Sequence, residues 1–208
     1  MKREIGISIL AVLAVMRAGA QSSGIREGNK LYREGRFEEA ANVYDGVLKR
    51  TPEDNTAMYN RSNALAKKGD KAAAMSGYDK LVETAKDARI LQRSWYDKGV
   101  LHQQGQQLDG SIAAWKEALK LDPEDQQARE NLQKALREKK KQQEQEEKKK
   151  DEPRDKKDKE PPKQPPPQSK LTQKQVEQLL KAMEQKEKEI QKKMQQRAAS
   201  PKQPEKDW

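Results

Sequence analysis

The stretch at 28–52, GNKLYREGRFEEAANVYDGVLKRTP, returns twice more at an interval of about 34 residues, and this self-similarity restricts the chain to folds made by stacking one small unit. Numbered from 1 to 34, the copies occupy residues 21–54, 55–88 and 92–125, with 89–91 as an insertion. Position 8 holds Gly28, Ser62 and Gly99; position 20 holds Ala40, Ala74 and Ser111; position 24 holds Tyr44, Tyr78 and Trp115. Small residues recurring opposite large ones are what two short helices need to interlock, and Pro52 and Pro123 close their copies. The middle copy departs, with Lys86 in place of that proline and Lys71 where the others carry Phe37 and Leu108, which predicts a longer, looser junction before the third copy. One such helix pair cannot bury its apolar face alone, so about three stacked copies are needed for a core. Ala128, Leu132, Ala135 and Leu136 then recur at helical spacing, the pattern of one further helix covering the open end of the stack.

Composition limits how much of the chain shares that core. Of 208 residues 38% are charged and 32% hydrophobic, too polar for one uniformly packed domain, so a folded part and a solvated part are predicted. All five Tyr, the one Phe, Trp95 and Trp115 lie between Tyr32 and Trp115, which locates the folded part. Most of the net charge of +10 belongs to residues 139–208, with 21 Lys and Arg against 14 Asp and Glu. These lysines are interleaved with Glu, Asp and Gln, and no aromatic stands among them to stack on a base, so no nucleic-acid partner is expected. With no cysteine there is neither a disulfide framework nor a thiolate metal site.

At the N-terminus Lys2 and Arg3 precede an apolar run over 5–16, and Ala18-Gly19-Ala20 supplies the small residues a signal peptidase reads. The run is shorter than the roughly 20 residues of a membrane span. Residues 1–20 are therefore read as a secretory signal peptide cleaved near Ala20, giving an exported protein, periplasmic or membrane-associated, with a retained anchor as the competing reading. From 137 to 170 no apolar side chain but proline occurs. The part REKKKQQEQEEKKKDE is rich in helix formers and can prolong the preceding helix as a charged rod up to Pro153, after which PPKQPPP is a stiff spacer.

Apolar residues return in 171–196. Thr172 and Gln175 form a capping box, Leu171 and Val176 a staple, and Val176, Leu180, Met183, Ile190 and Met194 follow steps of four and three, interrupted by Glu187. This segment is expected to be a docking helix, marginal alone, ordered on a partner and held away from the repeats by the spacer; 197–208 is a flexible terminus.

The residues GNKLYREGRFEEA and SIAAWKEALKLDPED resemble the tetratricopeptide repeat family. The resemblance implies an all-α fold, a right-handed superhelix over 21–138 with three repeats and a capping helix at 126–138; composition and spacing add a disordered charged and Pro-rich linker at 139–170 and the C-terminal amphipathic helix. It also implies a concave face of first-helix positions, from which Asn29, Tyr32, Arg33, Tyr59, Asn63, Lys67, Arg93, Tyr96 and Gln103, with Asn60, are the candidate peptide-binding residues. Side chains of these types suit an extended peptide through hydrogen bonds and aromatic contact. Some members clamp a C-terminal carboxylate with Lys, Asn, Asn, Lys and Arg. Asn29, Asn60 and Arg93 fill three of those places, but Ile25 replaces the first Lys and Asp97 sets a negative charge where the Arg would meet the ligand, so the clamp is not expected.

The order of signal, repeats, linker, LTQKQVEQLLKAMEQKEKEIQKKM and the terminal KDW resembles the BatC group of the Bat aerotolerance proteins. That resemblance implies partners among von Willebrand A-domain membrane proteins of an envelope system linked to a MoxR-type ATPase.

Catalysis is not expected. His102 is the single histidine and falls at a packing position equivalent to Leu31 and Leu65, with no Cys or second His to share a metal. The acidic residues lie at helical surface spacing, and the glycines occur singly rather than in a phosphate-cradling loop. No cofactor, metal or small-molecule substrate is expected. The predicted function is an exported interaction scaffold binding a peptide or protein in its groove, with an extracytoplasmic chaperone holding unfolded clients as the alternative.

Overall fold

The structure, a computed structural model, describes residues 23–151 and 171–199. The signal-peptide reading of 1–20, the proline-rich spacer and the end of the chain from 200 lie outside the described residues. Among the described residues every regular element is an α-helix, as the sequence predicts: α1 over 23–33, α2 (Phe37–Arg50), α3 (Asn55–Lys68), α4 (Lys71–Thr84), α5 (Ala88–Gln104), α6 (Leu108–Leu121), α7 (Gln126–Asp151) and α8 (Gln173–Ala199). They divide into two compact units, residues 1–125 with α1 to α6 and residues 126–208 with α7 and α8.

In the first unit each repeat is one helical hairpin. The turn inside it needs a left-handed residue at position 15, supplied by Gly35 (φ 78°) and Gly69 (φ 100°) in the first two repeats and by Gln106 (φ 58°) in the third. Asp54 and Asp70 start α3 and α4 by accepting from the backbone N–H of Ala57 (3.0 Å) and Ala73 (3.1 Å). Asp87 does the same for α5, bonding the N–H groups of Arg89 and Ile90 at 2.8 and 3.2 Å. That cap explains a correction: residues 89–91 do not loosen the junction before the third repeat but lie in the first turn of α5, which has 17 residues where α3 has 14.

The interlock is steric. A methyl group on Gly28 would overlap the Tyr44 ring, and one on Gly99 would overlap Trp115. In the middle repeat Ser62 takes the glycine's place, and room is made from the other side by Gly77, where a side chain would strike the Ser62 hydroxyl. That hydroxyl donates to the Met58 carbonyl at 2.8 Å, so its burial leaves no donor unmet. Tyr44, Tyr78 and Trp115 are 1–2% exposed, and burying side chains of this kind contributes roughly 1.5–3 kcal/mol each. Successive repeats are also tied by charge: Arg61 Nε meets Asp45 at 2.5 Å and Lys98 Nζ meets Asp79 at 2.6 Å, in both cases position 7 of one repeat against position 25 of the repeat before it.

In the second unit α7 runs for 26 residues, so the expected capping helix at 126–138 and the start of the expected linker are one continuous helix. The segment expected to remain without a partner in its own chain instead packs as α8 on α7. The two are antiparallel: Gln143 Nε2 donates to the Leu171 carbonyl at 2.9 Å, Lys140 meets Glu177 at 3.2 Å and Arg129 meets Glu187 at 3.6 Å. The capping box forms as predicted, Gln175 accepting from the Thr172 N–H at 2.9 Å and its own N–H meeting Thr172 Oγ1 at 3.3 Å. Val176 is buried and Leu180, Met183 and Ile190 are half-buried, while Met194 remains 66% exposed. Glu187, the break in the apolar line, is met by the buried Arg129, which is why an interrupted stripe still pairs. No helix among the described residues is long and apolar enough to cross a membrane.

Candidate functional site

Within the first unit the inner helices α1, α3 and α5, joined by Tyr78 of α4, surround a cavity of about 350 Å³. Tyr32, Tyr59, Asn63, Lys67 and Tyr96, five of the ten candidates, line it. Asn29, Arg33, Asn60, Arg93 and Gln103 do not. Ala66, Val100 and Gln104 complete the wall at concave positions, and three residues outside the candidate set join it: Leu101, the packing residue Tyr78, and Asp97, which the sequence marks only as a charge against a carboxylate clamp.

The asparagines have internal duties. Asn29 Oδ1 accepts from the Tyr44 hydroxyl at 2.6 Å and from Asn60 Nδ2 at 3.0 Å, so these two residues tie the first repeat to the second. Asn63 Oδ1 accepts in the same way from the Tyr78 hydroxyl. A signal for this was in the sequence: position 9 is Asn where position 24 is Tyr, whereas the third repeat pairs Val100 with Trp115, whose indole N–H donates instead to the Tyr96 carbonyl at 3.1 Å.

Asp97 is the chemically distinctive group of the cavity. Its Oδ2 accepts from the Tyr59 hydroxyl at 2.7 Å, and its other oxygen has no protein donor among the described residues. Burial pushes the carboxyl up to about 6, against the opposing pull of the Tyr59 hydrogen bond and the charges of Arg93 and Lys67. Burial also raises the Tyr59, Tyr78 and Tyr32 phenols, to which the Asp97 charge adds. The Tyr59 and Tyr78 rings stand 6.1 Å apart and tilted by 55°. The cavity thus offers four tyrosine side chains, one carboxylate and the exposed ammonium of Lys67.

A larger hollow of about 590 Å³, lined by Pro52, Glu53, Asn55, Met58, Lys80, Thr84 and Lys86, has no comparable convergence of aromatic and buried charged groups. Among the described residues no three His, Asp or Glu side chains converge to hold a metal ion. His102 Nδ1 lies 2.6 Å from Gln107 Oε1, its ring against Gly110, so it serves the turn of the third repeat.

Comparison with known proteins bears on the fold. The tetratricopeptide repeat family matches residues 25–89 and 96–148. The Hsp70-Hsp90 organising protein of Plasmodium falciparum is 28% identical over 111 residues, 53% of this chain; the chain spans only 43% of that relative's length and 19% of a second sequence under the same name. Among solved structures, the TPR2AB domain of yeast Sti1 in complex with an Hsp90 peptide superposes with a TM-score of 0.58 at 23% identity, covering 62% of this chain and 51% of that one. The first repeat domain of Spaghetti (RPAP3), bound to the Hsp90 peptide SRMEEVD, gives 0.53 at 20% identity, with 57% and 92% covered. At these identities the structural likeness is one of fold.

Proposed function

The chain belongs to the tetratricopeptide repeat family, and from that premise we propose that it is a non-enzymatic scaffold whose groove between α1, α3 and α5 takes an extended peptide from a partner protein. The observation that carries this is the cavity itself, where four tyrosines, Asn63, Lys67 and Asp97 converge from consecutive repeats. The two superposed structures hold Hsp90 peptides, which supports a peptide as the ligand class. The ligand differs from a carboxylate held in a clamp: Asn29 Oδ1 already has two donors, and Asp97 would repel a terminal carboxylate.

The scaffold works outside the cytoplasm, as the signal sequence at 1–20 suggests, in an envelope complex of the BatC kind with von Willebrand A-domain membrane proteins. The α7–α8 hairpin is its second contact element, presenting a charged outer face and the exposed Met194. The relatives named for organising Hsp70 and Hsp90 favour one alternative, a chaperone-associated role with changing clients. Cross-linking in the envelope fraction separates the two: one or two stoichiometric partners support the scaffold, a broad smear the chaperone. Replacing Tyr96 with Ala is expected to abolish capture while leaving thermal unfolding nearly unchanged, and equal capture by wild type and variant would remove the groove from the proposal. Asn63→Ala is a poorer probe, because it leaves the Tyr78 hydroxyl without its acceptor.

A further inference from the structure

Asp97 and its aromatic neighbours give the groove a polarity. Three observations bear on it. The carboxylate lines the cavity with one oxygen fixed by the Tyr59 hydroxyl and the other without a protein donor, so a directed acceptor is left for a ligand. Tyr32, Tyr59, Tyr78 and Tyr96 border the same cavity, and phenol rings attract cations through their negative faces. The nearest cations, Arg93 and Lys67, act on Asp97 only through space; neither forms an ion pair with it, and both are exposed, free to turn their charge to solvent. A carboxylate set among tyrosine rings is the chemistry that recognises an ammonium or a guanidinium. The volume, about 350 Å³, lies at the small end of ligand cavities and suits one side chain of a longer peptide.

We propose that the cavity is a specificity pocket for a Lys or Arg side chain of the bound peptide, with Asp97 as the counter-ion and the tyrosines as the cage. The inference rests on the groove reading and deepens it, reversing the charge sense of a carboxylate clamp: the ligand contributes the cation and the groove the anion. With its carboxyl near 6, Asp97 is ionised at neutral pH and able to play that part. Tyr59 is the positioning residue, since its hydroxyl fixes the orientation of the carboxylate. A cationic peptide also has an amino terminus of similar chemistry, so the experiment must separate the two sources.

The test selects a random, N-terminally blocked peptide library on the full-length protein and remeasures the winners as synthetic peptides. The selected peptides are expected to share a Lys or Arg. Its replacement by Gln should weaken binding about 10- to 100-fold, the usual range for a lost charge-assisted hydrogen bond. Asp97→Asn, which keeps the shape and an acceptor for Tyr59, should give the same loss, and the two changes together should cost little more than either alone. Thermal unfolding of the variant at or above the wild-type temperature shows that the pocket is intact. If the peptides carry Asp, Glu or a free carboxylate as their shared charge, or if cationic peptides bind Asp97→Asn as tightly as wild type, the pocket assignment is overturned while the groove stands. If the blocked library yields no binders while the same library with free amino termini does, the side-chain assignment is overturned. Peptides that bind Tyr96→Ala as well as wild type overturn the groove itself.

Discussion

In the repeat unit a helix meets its partner through a glycine set against a ring, whereas α8 meets α7 through a thin apolar line flanked by ion pairs. The first contact is a matter of shape: Gly28 fits Tyr44, Gly99 fits Trp115, and Ser62 fits only because Gly77 yields space. The second is a matter of hydropathy and charge, with Val176 buried, Leu180 and Ile190 half-buried, and Arg129 and Lys140 reaching Glu187 and Glu177. Shape selects one partner and one register. An amphipathic line selects only a face, and other apolar faces can compete for it.

The largest test of that contrast is Tyr78→Ala, which empties the middle of the interlock and removes the donor to Asn63. It is expected to destabilise the repeat unit by about 3–5 kcal/mol in urea unfolding, and a loss below about 1 kcal/mol would show that shape is not what holds the repeats. Next comes Leu180→Asp with Ile190→Asp. Charging two half-buried positions should cost the hairpin about 3 kcal/mol and strip hydrogen-exchange protection from the amides of α8 while those of α3 to α6 keep theirs. Undiminished protection in α8 would mean that the apolar line does not hold the pair.

Asp97 sharpens the comparison from inside the repeat unit, because there a half-buried carboxylate is set against stability. Its folded value of about 6 exceeds its ordinary 3.8, so the folded state binds the proton more tightly; stability is highest below about 3.8 and falls as pH rises towards 6. Asp97→Asn should therefore stabilise the fold by about 2 kcal/mol at neutral pH, with the gain vanishing near pH 4. Equal gains at both pH values would contradict the burial explanation. The smallest expected effect is at the third hairpin turn, where Gln106→Gly should raise stability by about 1 kcal/mol by relieving a left-handed side chain that is exposed and replaceable. A lowered melting temperature would show that the Gln106 side chain has a role beyond the turn.

How legible each part was in the sequence follows from the same contrast. Positions 8, 20 and 24 gave the three hairpins because each identity there is dictated by a neighbour's volume, and Gly35 and Gly69 marked the turns by conformation alone. The groove was half legible. Residue spacing placed Tyr32, Tyr59 and Tyr96 on one face, whereas the inward turn of the Asn29 and Asn63 oxygens to the tyrosines of their own repeats was signalled only by the joint occurrence of Asn at position 9 with Tyr at position 24. Position 24 marks Tyr78 as packing, which it is, and its second role as cavity wall depends on how consecutive repeats stack, which spacing does not resolve. The pairing of α8 was not legible, since the residues of α7 that receive it include Arg129 and Lys140, charged side chains that no apolar pattern points to.

The two ion pairs between repeats carry information about order. Position 7 is a cation and position 25 an anion at both internal junctions, Arg61 with Asp45 and Lys98 with Asp79, but the outward positions are reversed: Glu27 holds position 7 of the first repeat and Lys116 position 25 of the last. Transposing the first two repeats would set Glu27 against Asp79, like against like, and transposing the last two would set Lys116 against Arg61. Each mismatch replaces an attraction of about 0.2–1 kcal/mol with a repulsion of similar size. Three units alike enough to exchange places are thus matched by sign: of their six possible orders, only the three that keep the cyclic succession first, second, third make every junction attractive, and any swap of two neighbours sets like charges together.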